Sequence, residues 1–177
     1  MNSRPFIFDP EKAIEVILYI SKRAPVPDII HVCKILYFAD RFHLEEYGRF
    51  ICGDAYIAMT NGPVPSGTYN LINSVRGASQ SQYADHAQNS FAVDKWTVLP
   101  LRDVIEEIFS ASDIECLDRA ITEYGHLDVG QLIDISHDDA YNAADVNSEI
   151  PIEAIVAMLR DGDVLLEHLR ESEFEIA

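Results

Sequence analysis

Asp40 and His43 stand three residues apart, a carboxylate and an imidazole on adjacent turns if the segment is helical. That pair could share a proton or supply two ligands to a metal ion, with His137 or Asp138 completing a site from a distant helix. The segment does read as helical. Taking Ile29 as origin, Cys33, Leu36, Tyr37, Asp40, Leu44 and Tyr47 fall at offsets of 4, 7, 8, 11, 15 and 18, the repeat of one helical face. Asp40 is therefore directed inward, where an ionised carboxylate is costly unless a cation or several hydrogen-bond donors meet it. Lys34, His43 and Arg49 are the candidate partners. Beside the catalytic or metal reading stands a structural one, in which Asp40 clamps the loop that follows the helix, because ion-pair networks also perturb carboxylates.

Other chemistry finds less support. Cys33, Cys52 and Cys116 are odd in number, widely spaced and never in a C-x-x-C pair, so they read as small buried hydrophobes rather than a disulfide framework or a zinc site. His31, His86, His126 and His168 lack ligand spacing. No G-x-S-x-G, Walker A or G-x-G-x-x-G pattern occurs. The sequence thus predicts no cofactor, no metal and no catalytic residue. Gly53-Asp54 and Gly62-Pro63 read as turn chemistry at strand boundaries. Tyr37, Tyr47, Tyr56 and Tyr69 read either as core or as the amphipathic anchors that interfaces favour.

The elements that must position these residues follow from caps and periodicity. Asp9-Pro10 starts a first helix ending near Arg23, and the second runs from about Asp28 to Tyr47 with Gly48 as its stop. RFICGDAYIAMT reads as one or two strands, NGPVP as a tight turn, and a short helix carrying Tyr69, Ile72 and Val75 follows Pro65. Residues 77–89 read as a mobile surface loop, and FAVDKWTVLPL as a strand pairing with the earlier one. Ser112-Asp113-Ile114-Glu115 reads as a capping box opening a helix to Tyr124, VGQLIDI as a helix leading to Ser136-His137, and 152–169 as a last helix breaking at Asp161-Gly162. The expected fold class is α+β, mainly α: a single domain over residues 1–177 with a helical body and a small antiparallel sheet.

Charge is unevenly placed. Residues 1–88 hold 8 Lys and Arg against 9 Asp and Glu, whereas residues 89–177 hold 5 against 21. No basic cluster is available to hold phosphates, which speaks against direct nucleic-acid or anionic-membrane binding and favours a cationic protein partner. The N-terminal stretch lacks the charge and hydropathy pattern of a signal peptide, and no apolar run approaches about 20 residues, so the expected compartment is the cytoplasm.

Read together, KILYFAD, His43, YGRFICGDAYIAMTNGPVPS and, much later, YGHLDVGQLIDISHDDAY make this chain resemble the Panacea antitoxin domain family, which includes SocA-like antitoxins and phage-associated GepA-like proteins. Its most specific part is residues 34–65, where Lys34, Tyr37, Asp40, His43, Tyr47, Gly53, Asp54, Tyr56, Gly62 and Pro63 fall in the family's order, and Leu132 with Ser136-His137 is a second match. The resemblance implies a protein that forms no covalent bonds and neutralises a cognate toxin of a type II pair by direct contact, with phage or prophage association. Some such proteins also act as protease adaptors. It further implies that Asp40, His43 and Tyr37 make a buried polar knot, closed by His137, that fixes the second helix against the sheet and shapes the binding surface.

Overall fold

The computed structural model describes residues 5–175. Its centre is a pair of buried helices, α1 (Pro10–Arg23) and α2 (Ile29–Tyr47). Both start where the sequence places them: Asp9 accepts from the Lys12 amide, Asp28 accepts from the His31 amide, and Gly48 closes α2. From Ile29 to Asp40, α2 is buried on almost every side, because α1, a strand pair and a later helix each cover one of its faces.

β1 (Tyr56–Met59) and β2 (Gly62–Pro65) form an antiparallel hairpin that pairs Ile57 with Val64 and Met59 with Gly62. The expected NGPVP turn is therefore shifted: the chain reverses at Thr60-Asn61, and Gly62 already belongs to β2. Two prolines are tolerated because β2 pairs on one side only. The other side of β1 is taken by residues 147–150, with the Asn147 amide donating to Ala58 O at 2.7 Å and the Ile150 amide to Tyr56 O at 2.8 Å.

α3 (Ser66–Val75) follows as expected, but 77–89 is not wholly loop, since α4 (Ala84–Ser90) occupies its second half with Ala87 buried against the core. FAVDKWTVLPL does not join β1. It folds on itself as β3 (Phe91–Asp94) and β4 (Thr97–Pro100), with Lys95 taking a φ of 57° at the turn. This second hairpin is tied to the start of α2, the Ile29 amide donating to Trp96 O at 2.9 Å and the Val98 amide to Pro27 O at 2.8 Å. Buried Glu15 of α1 anchors the chain beyond β4, accepting from Arg102 Nη2 at 2.5 Å and from the Ile105 amide at 2.8 Å.

A 3-10 turn (Glu106–Ile108) leads to α5 (Ala111–Tyr124), which packs along α2 with the Tyr124 and Phe38 rings stacked at 4.0 Å. Its capping box is Ser110 with Asp113, not Ser112 with Glu115, because aspartate at the third position reaches back as well as glutamate does. α6 (Val129–Ser136) and the short α7 (Asp139–Asn142) carry the chain back to the first hairpin. The expected last helix is two, α8 (Ile152–Val156) and α9 (Gly162–Glu175), separated by a turn in which Asp161 has a φ of 55°. The protein is thus mainly helical α+β, with two separate two-stranded sheets among the described residues where one was expected.

Candidate functional site

Asp40 lies fully buried in the middle of α2, and its partners are neither Lys34, His43 nor Arg49. One carboxylate oxygen accepts from the Ile51 amide at 2.7 Å and the other from the Tyr56 hydroxyl at 2.6 Å. Both donors are neutral, so burial dominates and pushes the Asp40 pKa up to about 7, only partly offset by the two hydrogen bonds. The expected polar knot is accordingly corrected. Asp40 does fix α2 to the first hairpin, but Tyr37, His43 and His137 belong to other groups.

His43 is buried with Nδ1 on Arg49 O at 2.9 Å and Nε2 on Ser112 Oγ at 2.9 Å, and it lies 3.3 Å from Asp113. Asp113 in turn meets Lys12 at 2.7 Å and Arg49 at 3.0 Å. Burial opposes its charge, but the hydrogen bonds from His43, Lys12 and the Ser110 amide hold its carboxyl well below the usual range. Tyr47 is half exposed and donates to Glu115 at 2.8 Å. Asp54 closes another gap. The α3 N-cap, Pro65, has no side-chain acceptor, and Asp54 supplies one from the loop before β1, accepting from the Gly67 and Thr68 amides and the Thr68 hydroxyl at 2.7–2.8 Å. Gly53 precedes it at a φ of 69°, where a Cβ would stand 2.1 Å from Ile7 O.

Lys34, Gly62, Pro63 and Ser136 do converge. Lys34 is buried, and its ammonium donates to Pro63 O at 2.9 Å. Gly62 has a φ of 95°, and a Cβ there would lie 2.6 Å from Ser136 Oγ and 2.7 Å from Lys34 Nζ. His137, the C-cap of α6, is on the same side, 3.3 Å from that point through Cδ2. Its ring stacks on Tyr141 at 4.2 Å, and its buried Nε2 has no hydrogen-bond partner. Behind them Asp138 accepts from Tyr37 at 2.8 Å and from Arg41 at 3.3 Å, while Tyr141 donates to Met59 O at 2.9 Å. Two residues of the metal reading, Asp40 and His43, are thus committed to separate internal bonds, and among the described residues no group of three His, Cys, Asp or Glu side chains is placed to hold a metal ion.

Lys34 is also one of the residues lining a groove of about 610 Å³. The first turns of α2 (Ile29, Ile30, Cys33) make one wall, the β1–β2 turn (Met59, Thr60, Asn61) another, and Tyr69, Trp96, Val129 and Asn147 complete it. Among the described residues, Asp28 and Lys34 are its only charged lining residues. Trp96, the single tryptophan, is 63% exposed, and its ring lies 5.0 Å from the Arg76 guanidinium. Periodicity and motif spacing passed over Trp96 and Val129; a lone tryptophan at the tip of a predicted strand segment was the only available signal for the first.

A family model described as antitoxin SocA-like, Panacea domain, matches residues 32–141. No curated protein and no solved structure matches the chain. The matched stretch contains Lys34, Asp40, Gly62 and Ser136-His137, and it includes most of the groove's walls.

Proposed function

The chain belongs to the SocA-like, Panacea-domain antitoxin family, whose model spans more than half of it, and from that premise we propose that it binds and neutralises a cognate toxin by direct protein contact and makes or breaks no covalent bond itself. The observation carrying this reading is where the motif's polar groups go. Asp40, His43 and Asp54 spend their hydrogen bonds inside the protein, on Tyr56, Ser112 and the α3 amides, and so act as struts. What they brace is a preformed surface: the groove between α2, the two hairpins and α6. A rigid, pre-shaped surface binds at low conformational cost, as a stoichiometric inhibitor requires.

The toxin has a basic surface, since the acidity of residues 89–177 steers such a partner and repels nucleic acid. No helix among the described residues is long and apolar enough to cross a membrane, which accords with action in the cytoplasm. A phage or prophage setting fits the family resemblance, and delivery of the toxin to a protease would use the same contact. Co-expression with each neighbouring gene tests the reading. One neighbour arrests growth alone, this protein relieves the arrest, and the two co-purify; if no neighbour is toxic, or if a toxic one is neither relieved nor bound, the proposal fails.

A further inference from the structure

One corner of the groove is held by a histidine whose surroundings demand two protons. His31, in the first turn of α2, is buried, and both of its ring nitrogens face oxygens that only accept: Nδ1 lies 2.9 Å from Asp28 Oδ1, and Nε2 lies 2.8 Å from Leu127 O. A neutral imidazole carries one N–H, so it satisfies one of these contacts and turns a lone pair on the other. Only the imidazolium donates to both. Asp28 itself is kept ionised. Burial opposes its charge, but the bonds from the His31 ring and amide, with the charge of the ring, hold its carboxyl below the ordinary 3.8. Burial opposes the charge on His31 as well, but the bonds to Asp28 and Leu127, with the charges of Asp28 and Asp128, prevail and raise its pKa above 6.5.

Three parts of the groove are tied together here. Asp28 is the N-cap of α2 and lines the groove with Ile29 and Ile30. Leu127 lies in the link between α5 and α6, two residues before Val129, another lining residue. The second hairpin joins through backbone: Asp28 bridges to Thr97, and the Ile29 amide donates to Trp96 O at 2.9 Å. The charges acting on the ring are Asp28, from the start of its own helix, and Asp128, from the start of α6. The next charge along α2 is Lys34, which is bound to Pro63 O. When the ring loses one proton, the other stays at Nδ1 against the ionised carboxylate, because charge-assisted bonds are the stronger. The bond to Leu127 O is then the one that breaks.

We propose that His31 is a pH-sensitive latch on the groove: doubly protonated, it clasps the start of α2 to the chain entering α6, and on losing a proton it keeps Asp28, releases Leu127 and frees the wall carrying Val129 from the wall carrying Ile29, Ile30 and Trp96. The latch is closed below pH 6.5 and opens as pH rises above that value through the raised pKa of the folded protein. Its consequence for function rests on the reading of the groove as the partner-binding surface: the grip on the partner weakens as pH rises.

Trp96, the single tryptophan, reports on the groove without any partner. Nitrogen NMR of the full-length protein, labelled at histidine, follows the assigned His31 ring: it is mostly imidazolium at pH 6.5, it titrates above that pH, and Trp96 emission changes with the same midpoint. Asp40 and Lys34, with pKa values of about 7 and about 8, titrate in the same range. Asp28→Asn separates them, because it keeps a capping side chain and removes the charge: the ring and emission midpoints fall together by about one pH unit or more. A ring mostly neutral at pH 6.5, emission that does not follow the ring, or an emission midpoint that stays while the ring's moves would each overturn the latch. If Asp28→Asn folds poorly, hydrogen exchange in the wild-type protein decides. The Gln131 and Leu132 amides, bonded to Asp128, lose about tenfold in protection as the ring deprotonates, and constant protection there would overturn the latch equally. No toxin enters these measurements, so their failure leaves the antitoxin reading intact, whereas failure of the neighbour rescue sinks that reading and leaves the latch standing.

Discussion

The Asp40 carboxylate accepts a 2.6 Å hydrogen bond from the Tyr56 hydroxyl, and this pair joins the middle of α2 to the first residue of β1. The other Asp40 oxygen holds the Ile51 amide, so removing the side chain strands two buried donors. Asp40→Ala should therefore cost about 2 to 4 kcal/mol, at about 1 to 2 kcal/mol per unsatisfied group. For a chain of this size that lowers Tm by roughly 4 to 16 °C. Tyr56→Phe, which takes away only one donor and leaves the carboxylate one bond short, should cost less. A melting curve unchanged by Asp40→Ala would remove this strut from the account.

The same carboxylate makes stability depend on pH in an unusual direction. Folding raises its pKa to about 7 from the ordinary 3.8, so between about pH 4 and pH 7 the native state holds the extra proton. Stability from this group is complete below pH 4 and is lost as pH rises through 7, by an amount on the order of a few kcal/mol. Asp113 works the other way: its carboxyl is held low, so its contribution is present above about pH 4 and is lost as pH falls further. Asp40→Asn should therefore flatten the Tm profile between pH 4 and 7, while Asp113→Asn should flatten the acid limb below pH 4. Equal profiles for Asp40→Asn and wild type would show that Tyr56 and Ile51 keep Asp40 ionised.

Asp54 predicts a local effect rather than a global one. It satisfies two of the first amides of α3 and the Thr68 hydroxyl from outside that helix. Asp54→Ala should destabilise the protein by about 1 to 3 kcal/mol, the range for lost caps and buried bonds. Hydrogen exchange should show the loss first at Gly67 and Thr68, with α1 and α2 still protected. Uniform loss of protection across all three helices would contradict a local capping role.

The acidic half yields a kinetic prediction. If it steers a basic toxin, raising ionic strength from 0.05 to about 0.5 M should slow association by roughly tenfold or more while dissociation changes little. A salt-independent association rate would mean that the charge serves solubility alone.

Local chemistry was readable from the chain and long-range pairing was not. Asp9, Asp28 and Gly48 marked α1 and α2 because caps act within three or four residues. The β3–β4 turn escaped because it uses Asp94-Lys95-Trp96-Thr97, with no glycine or asparagine at the position that takes a positive φ. The helical wheel showed that Asp40 points inward, and the partner it meets is a tyrosine 16 residues on, which no period connects to it. Lys34, Gly62 and Ser136 were each legible as motif residues, yet their meeting depends on α2, β2 and α6 converging, a property of the packed chain.

That convergence makes Gly62 the sharpest single position. Its φ of 95° is strained for any residue with a side chain, and a Cβ would come within 2.7 Å of both Ser136 Oγ and Lys34 Nζ. Both are ends of side chains that can swing aside, so Gly62→Ala should fold with a loss of about 1 to 3 kcal/mol from backbone strain. An ammonium that swings away also gives up its bond to Pro63 O, so the loss should exceed that of strain alone. The discriminating measurement is a double-mutant cycle with Lys34→Met. If Gly62 acts by placing Lys34, the alanine lowers Tm less in the Lys34→Met background than in the wild-type protein; additive losses would show that strain at Gly62 acts independently of the lysine.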